Sequence, residues 1–147
     1  MSLTLDSTTD VQKLRLELRL KQLERVESCQ NNFLPFVNSM WPQFIAGRHH
    51  HLIAEKLEQI ANGELKRLII NMPPRHTKSE FASFLFPAWM IGRNPAMKII
   101  QATHTTELAV NFGRKVKNLL EQDDYQEIFD NTILSSDSKA SASSFDR

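Results

Sequence analysis

Cysteine and glycine are both scarce: the chain of 147 residues holds one cysteine, Cys29, and four glycines. A lone cysteine excludes an internal disulfide, and it suits a reducing, cytoplasmic setting. No signal-peptide pattern opens the chain. No apolar run approaches the roughly 20 residues that cross a bilayer, so no membrane role is expected. Neither sign of charge dominates, with 18 Lys and Arg against 17 Asp and Glu and a net charge of +1. A chain-wide electrostatic signal for nucleic acid is therefore lacking. What is present suffices for one small domain, since 41% of the residues are hydrophobic.

Residues Met1 to Asp10 are rich in Ser, Thr and Asp and read as a frayed end. From Val11 to Gln30 the strong helix formers Leu, Lys, Arg and Glu predict a helix, with Leu16, Leu20 and Leu23 on one face. That face is expected to pack on the core, with a contact to another subunit as the sharper reading. A short helix and an aromatic-rich turn follow, carrying Phe33, Phe36, Trp41 and Phe44. Arg48 to Ala61 is amphipathic, and Asn62-Gly63 stops it. Lys66 to Asn71 and Met97 to Ala102 read as buried parallel strands. Ser79 to Ile91 and His104 to Glu121 read as the helices between and after them, with Pro87 expected to kink or end the first. Thr103, Thr105 and Thr106 are candidate caps for the second.

The alternation of strand and helix predicts an α/β fold with a parallel sheet and right-handed crossovers. The expected organisation is an N-terminal helical extension over 1–46, a core over 47–130 and a Ser-rich, disordered tail over 131–147.

The densest chemistry lies in Leu68 to Glu80, read as LIINMPPRHTKSE. An apolar run ends in Pro73-Pro74, then Arg75, His76, Thr77, Lys78 and Ser79 lead into a helical pattern. Strand, tight loop, Lys-Ser and helix is the order by which a P-loop holds a nucleoside triphosphate. In such loops the main-chain N–H groups surround the phosphates, the lysine neutralises their charge, and the next hydroxyl ligates Mg²⁺. Of the pattern G-x-x-x-x-G-K-[ST], the two glycine positions hold Met72 and Thr77 here. A left-handed conformation at β-branched Thr77 would be strained. An ordinary strand–turn–helix connection with a solvated Arg-His-Thr-Lys cluster fits the same residues.

Further blocks follow in order. They are HHHLIAEKLEQIANGELKRLIINMPPRHTKSE, FPAWMIGRNP, KIIQATHTTELAVNFGRKVKNLL, YQEIF and DSKA. Together, from about Phe33 to Lys139, they resemble the N-terminal part of the ATPase domain of tailed-phage large terminase subunits. The resemblance implies a partial P-loop NTPase sheet of the ASCE kind. It also implies ATP and Mg²⁺ as cofactors, and ATP hydrolysis coupled to moving DNA into a capsid. Family loops often read P-P-R-H-G-K-S, so Pro74, Arg75, His76, Thr77, Lys78 and Ser79 fall on the phosphate-binding positions. Lys78 is placed on the phosphates and Ser79 on Mg²⁺. Arg75 is placed as a charge stabiliser or γ-phosphate sensor, or else is a solvated loop charge. His50 or His51 is placed near the adenine, or else forms an exposed helical turn. Implied partners are double-stranded DNA, the portal protein, the small terminase subunit and the remainder of the large subunit. The implied location is the host cytoplasm and, transiently, the procapsid portal.

The Walker B strand of that family, with its acids, has no counterpart here. Asp123-Asp124 follows a helical segment and reads as a helix cap and first-turn acid pair. The chain thus reads as a truncated piece, without the family's nuclease domain. Two other readings stay open: a non-catalytic interaction module, and a different P-loop NTPase such as a helicase-like protein. Arg114, Lys115 and Lys117 form a basic group that reads as a solvated helix face.

Overall fold

The computed structural model describes residues 6–132 and 134. It contains α1 (Asp6–Asn31), α2 (Phe33–Met40), α3 (Arg48–Ala61), a π-helical turn (Glu80–Leu85), α4 (Phe86–Arg93), α5 (Thr106–Leu120) and α6 (Asp123–Ile128). No strand occurs among the described residues. The expected α/β fold, a parallel P-loop sheet, is therefore incorrect, and the protein is helical.

The two segments read as strands show why. Lys66 to Asn71 and Met97 to Ala102 carry neither helix nor ladder. Along the first, Leu68, Ile70 and Met72 lean on the core while Ile69 stays 85% exposed. Ile100 is 96% exposed. The first run shows period-2 alternation with one covered side, whereas in the second Ile99 and Ile100 are both exposed and only Met97 packs against the core. A parallel strand needs a neighbour for its main chain and cover on both faces. Among the described residues neither segment forms a ladder with another; Met97 N–H donates to Asn94 O of the preceding turn at 3.0 Å.

The helices follow from local rules. α3 ends where the periodicity predicts, in a Schellman closure: Gly63 takes φ +79°, Glu64 N–H donates to Gln59 O at 2.9 Å, and Gly63 N–H donates to Ile60 O at 3.0 Å. Thr105 caps α5, its hydroxyl accepting from Leu108 N–H at 3.3 Å. Asn32 does not cap α2 through its side chain; instead the Glu58 carboxylate of α3 accepts Phe33 N–H at 2.7 Å. Asp123 and Asp124 stand in the first turn of α6, behind Gln122 at the cap position. There two negative charges suit the positive helix end.

Pro87 neither ends nor breaks its helix. Helical residues run from Lys78 to Arg93, with the π turn just before the proline. Proline has no N–H, so the carbonyl four residues earlier loses its usual donor. That carbonyl belongs to Ser83, and Gln101 Nε2–H donates to it at 3.1 Å. Widening the preceding turn, with Phe86 N–H bonded to Phe81 O, absorbs the ring.

The core is aromatic. Phe33, on α2, has its ring centroid 5.6 Å from Phe81 and from Phe86, 5.4 Å from Trp89 and 6.5 Å from Phe36. Polar tips of the buried rings are satisfied: Trp89 Nε1–H donates to Cys29 O and Tyr125 O–H to Ala88 O, each at 2.8 Å. Cys29 itself is buried, which pushes its thiol pKa up and leaves it a poor nucleophile. Among the described residues, α1 docks through its C-terminal part, where Gln30 Nε2–H donates to Ile128 O at 2.6 Å. Leu16, Leu20 and Leu23 do not pack on the core as expected; all three are exposed, as are Val11, Leu14 and Leu18. No helix among the described residues is long and apolar enough to cross a membrane. Apart from Asn131, Thr132 and Leu134, the Ser-rich tail lies outside the described residues, as do Met1 to Leu5 and the DSKA block.

Gly92 marks the tightest approach of α4 to its neighbours. A Cβ there would lie 2.4 Å from Phe129 Cδ2 and 2.5 Å from its Cγ. Phe129 is buried and packs on the rings of Phe36 and Tyr125, with centroids 5.8 and 5.2 Å away, so admitting a methyl means displacing a packed ring. Gly92→Ala is expected to lower stability by about 1–3 kcal/mol, despite alanine's better helix propensity. A denaturant titration checks this, and an unchanged or raised midpoint would contradict the packing described.

Candidate functional site

The turn from Pro74 to Ser79 joins the extended segment to the helix that begins at Lys78. Its backbone is unusual. Arg75 has φ +64° and Thr77 φ +59°, the only non-glycine residues with positive φ among those described. The left-handed region is disfavoured for any side chain and most for a β-branched one, at a cost on the order of 1–3 kcal/mol. Strain of this kind persists where surrounding contacts over-determine it, and it clusters at ligand-binding turns.

The turn leaves a run of main-chain donors uncommitted. Phe81 N–H is the first amide after Pro74 to donate to the main chain, to Thr77 O at 3.0 Å. The N–H groups of Arg75, His76, Thr77, Lys78 and Ser79 donate to no protein group among the described residues. Successive amides in alternating handedness form a concave nest for an anion, and the start of a helix adds partial positive charge. His76 closes the turn from outside, its Nδ1–H donating to Pro74 O at 2.9 Å.

Cations gather on this turn. Arg75 is exposed and Lys78 half-buried, and no carboxylate among the described residues pairs with either. The neighbouring acid, Glu80, is engaged elsewhere, by Lys115 Nζ of α5 at 2.8 Å. The Lys115 ammonium also lies over the rings of Phe84 and Phe112, at 5.6 and 5.8 Å from their centroids. Lys115 therefore serves to join α5 to the loop helix. The Ser79 hydroxyl is exposed and makes no hydrogen bond among the described residues. An uncommitted hydroxyl suits a Mg²⁺ ligand, though it is a single donor, and no group of three His, Cys, Asp or Glu among the described residues could hold a metal.

His50 is drawn into the site, but in another way than expected. It is 7% exposed and stacks on Phe81, ring centroids 5.1 Å apart, with the edge of Phe44 at 4.7 Å. Gly47 N–H donates to its Nδ1 at 2.9 Å, and its Nε2 lies 2.6 Å from Thr77 Oγ1. Both ring nitrogens thus serve the protein, and the adenine contact suggested for His50 gains no geometric support. His51 is exposed on the first turn of α3. The link between His50 and Thr77 spans 27 residues, and no local pattern announces it.

Burial pushes the His50 pKa below its ordinary value of 6.5, and the neighbouring His49, His51 and His76 lower it further. The folded protein then binds fewer protons than the unfolded chain just below that value. Stability is fully present above pH 6.5 and declines as pH falls through it. Unfolding midpoints between pH 7.5 and 5.5, ~2 units spanning a histidine's titration, are expected to drop on acidification. His50→Gln should flatten that dependence, and an unchanged slope would show that another group carries it.

Two clefts are lined mainly by other parts of the molecule, one of them reaching Glu80 beside the turn. One of about 430 Å³ is lined by Glu80, Leu108, Phe112, Arg114 and Lys115 among others, the second of about 270 Å³ by Gln30, Gly92, Arg93 and Phe129 among others. No protein-family profile, curated protein or solved structure matches the chain.

Proposed function

We propose that the Pro74–Ser79 turn binds the phosphates of ATP, and that the chain is the nucleotide-binding part of a DNA-packaging motor of the terminase type. One observation carries the reading: five consecutive uncommitted amides beside an unpaired Lys78, in a turn strained at Arg75 and Thr77. The residues fit a phosphate group. The amides supply donors, Lys78 supplies charge, and Ser79 supplies an oxygen for the accompanying Mg²⁺. Arg75 is the exposed cation best placed along the chain to meet the outermost phosphate. ATP would bring the bond whose cleavage drives movement; the residues described bind and neutralise it. Double-stranded DNA, a portal, a small subunit and the rest of a large subunit are the partners this reading entails, and an infected cell's cytoplasm is its setting.

The reading concerns the turn and the helix behind it, and it does not restore a sheet. The order of sequence blocks from Phe33 to Lys139 supports the motor class. A second reading, an interaction module without catalysis, is favoured by the bare apolar residues Ile69 and Ile100 and the exposed leucines of α1.

Thermal unfolding separates the two. With Mg–ATP at ~100 times its Kd, ligand linkage adds about 2.7 kcal/mol of stability. That corresponds to a rise of several degrees in Tm, with adenosine producing none. Equal curves with and without Mg–ATP, together with concentration-dependent self-association, would favour the interaction module.

A further inference from the structure

Thr77 stands where a phosphate loop ordinarily needs glycine, and it adopts the backbone that glycine would supply, φ +59°. Something must hold it there. The hydrogen bonds around it run in one consistent direction. Gly47 N–H donates to His50 Nδ1 at 2.9 Å, so that nitrogen carries no proton. The proton therefore sits on Nε2, which faces Thr77 Oγ1 at 2.6 Å. Thr77 Oγ1–H is spent on His76 O at 2.7 Å, leaving its lone pairs to accept from the imidazole. Each group donates once, and the chain of bonds closes on the loop's own carbonyl.

The imidazole is a fixed point. It is buried, stacked on Phe81 and met edge-on by Phe44. Phe81 lies in the π turn of the very helix that the loop opens, and its N–H is bonded to Thr77 O. Thr77 is thus gripped at its hydroxyl by α3 and at its carbonyl by its own helix. His49 Nε2 lies 3.0 Å from the same His50 nitrogen, farther than Thr77 Oγ1 and on an exposed ring.

We infer that His50 is a positioning residue of the phosphate loop, whose bond to the Thr77 hydroxyl takes the place of glycine's conformational freedom and holds the turn that leaves the loop amides uncommitted. The ligand side of this inference rests on the phosphate-binding reading above; the grip itself does not. Neither half works alone. A histidine with no hydroxyl to meet holds nothing, and a threonine with no histidine has no reason to stay left-handed.

The test is a double-mutant cycle on the full chain, read in Mg–ATP affinity by calorimetry and in unfolding without nucleotide. His50→Ala is expected to weaken Mg–ATP about tenfold beside Thr77, and about twofold or less in the Thr77→Gly background. Thr77→Val keeps the shape and loses the hydroxyl, so it should match His50→Ala, while His49→Ala should change little. The loss of unfolding midpoint caused by His50→Ala should likewise shrink in the Thr77→Gly background. Equal losses in both backgrounds, by either readout, overturn the inference and assign His50 to packing on Phe81. If the wild-type chain binds no Mg–ATP, the nucleotide reading fails by itself. The cycle in unfolding then still decides: coupling upholds the grip and additivity removes it.

Discussion

Phe33→Ala is expected to remove about 3–5 kcal/mol of stability, much of what a small domain possesses. Phe33 is fully buried and touches rings from three other places in the chain: Phe36 in its own helix, Phe81 in the π turn, and Phe86 and Trp89 in α4. Its removal leaves a void that no single neighbour can fill, because the surrounding rings also pack on one another. Phe86 and Trp89 lie 6.3 Å apart, and Phe36 meets Tyr125 at 6.1 Å. The loss has a transfer part and a cavity part, and the second is the larger the less the site collapses. Its N–H, held by Glu58, is untouched by the substitution, so the effect isolates the ring. Urea unfolding followed by Trp fluorescence measures it. A loss under about 1 kcal/mol with an unchanged slope would mean that the aromatic cluster is not the centre of the core.

Lys78→Ala is expected to weaken Mg–ATP by thirtyfold or more, about 2–3 kcal/mol, the range for hydrogen bonds made by a charged donor. The case rests on what Lys78 does not do in the folded chain. No carboxylate among the described residues neutralises it, although it is half-buried and Glu80 is two residues away. Glu80 is held by Lys115 instead. Removal of Lys78 therefore breaks no internal pair, and the unfolding midpoint without nucleotide should move by less than about 0.5 kcal/mol. That combination, lost affinity with retained stability, is the signature of a ligand-facing cation. Affinity within twofold of wild type, measured at the same ionic strength, would detach the motif from phosphate.

The helices were legible in the sequence for physical reasons that stay local. α3 announced itself by periodicity and by Gly63, and α5 by its apolar spacing and the threonines at its start. The absence of a sheet was not legible, because an apolar run such as Leu68-Ile69-Ile70 carries the same signal whether one face is covered or two. Coverage is a tertiary fact, and here Ile69 lacks it. The loop's position, and the strain that a left-handed Thr77 would bear, followed from residue types alone. Its stabilising partner did not. His50 sat among three adjacent histidines with nothing to single it out, and only the fold turned its Nε2 toward Thr77. Pro87 gave half a signal: it marked a disturbance, and Gln101 explains why the helix survives it.

An α-helix turns about 100° per residue, and a π turn holds one residue more than the winding needs. Everything ahead of Glu80 is therefore rotated by roughly that angle against Trp89 and the rest of α4, compared with an unbroken helix. Lys78 and Ser79 owe their heading to that surplus. Excising one residue from Glu80–Leu85 would leave Phe86 and Trp89 seated while swinging the cationic tip onto another side of the molecule, and would pull at Phe81, which lies inside that turn.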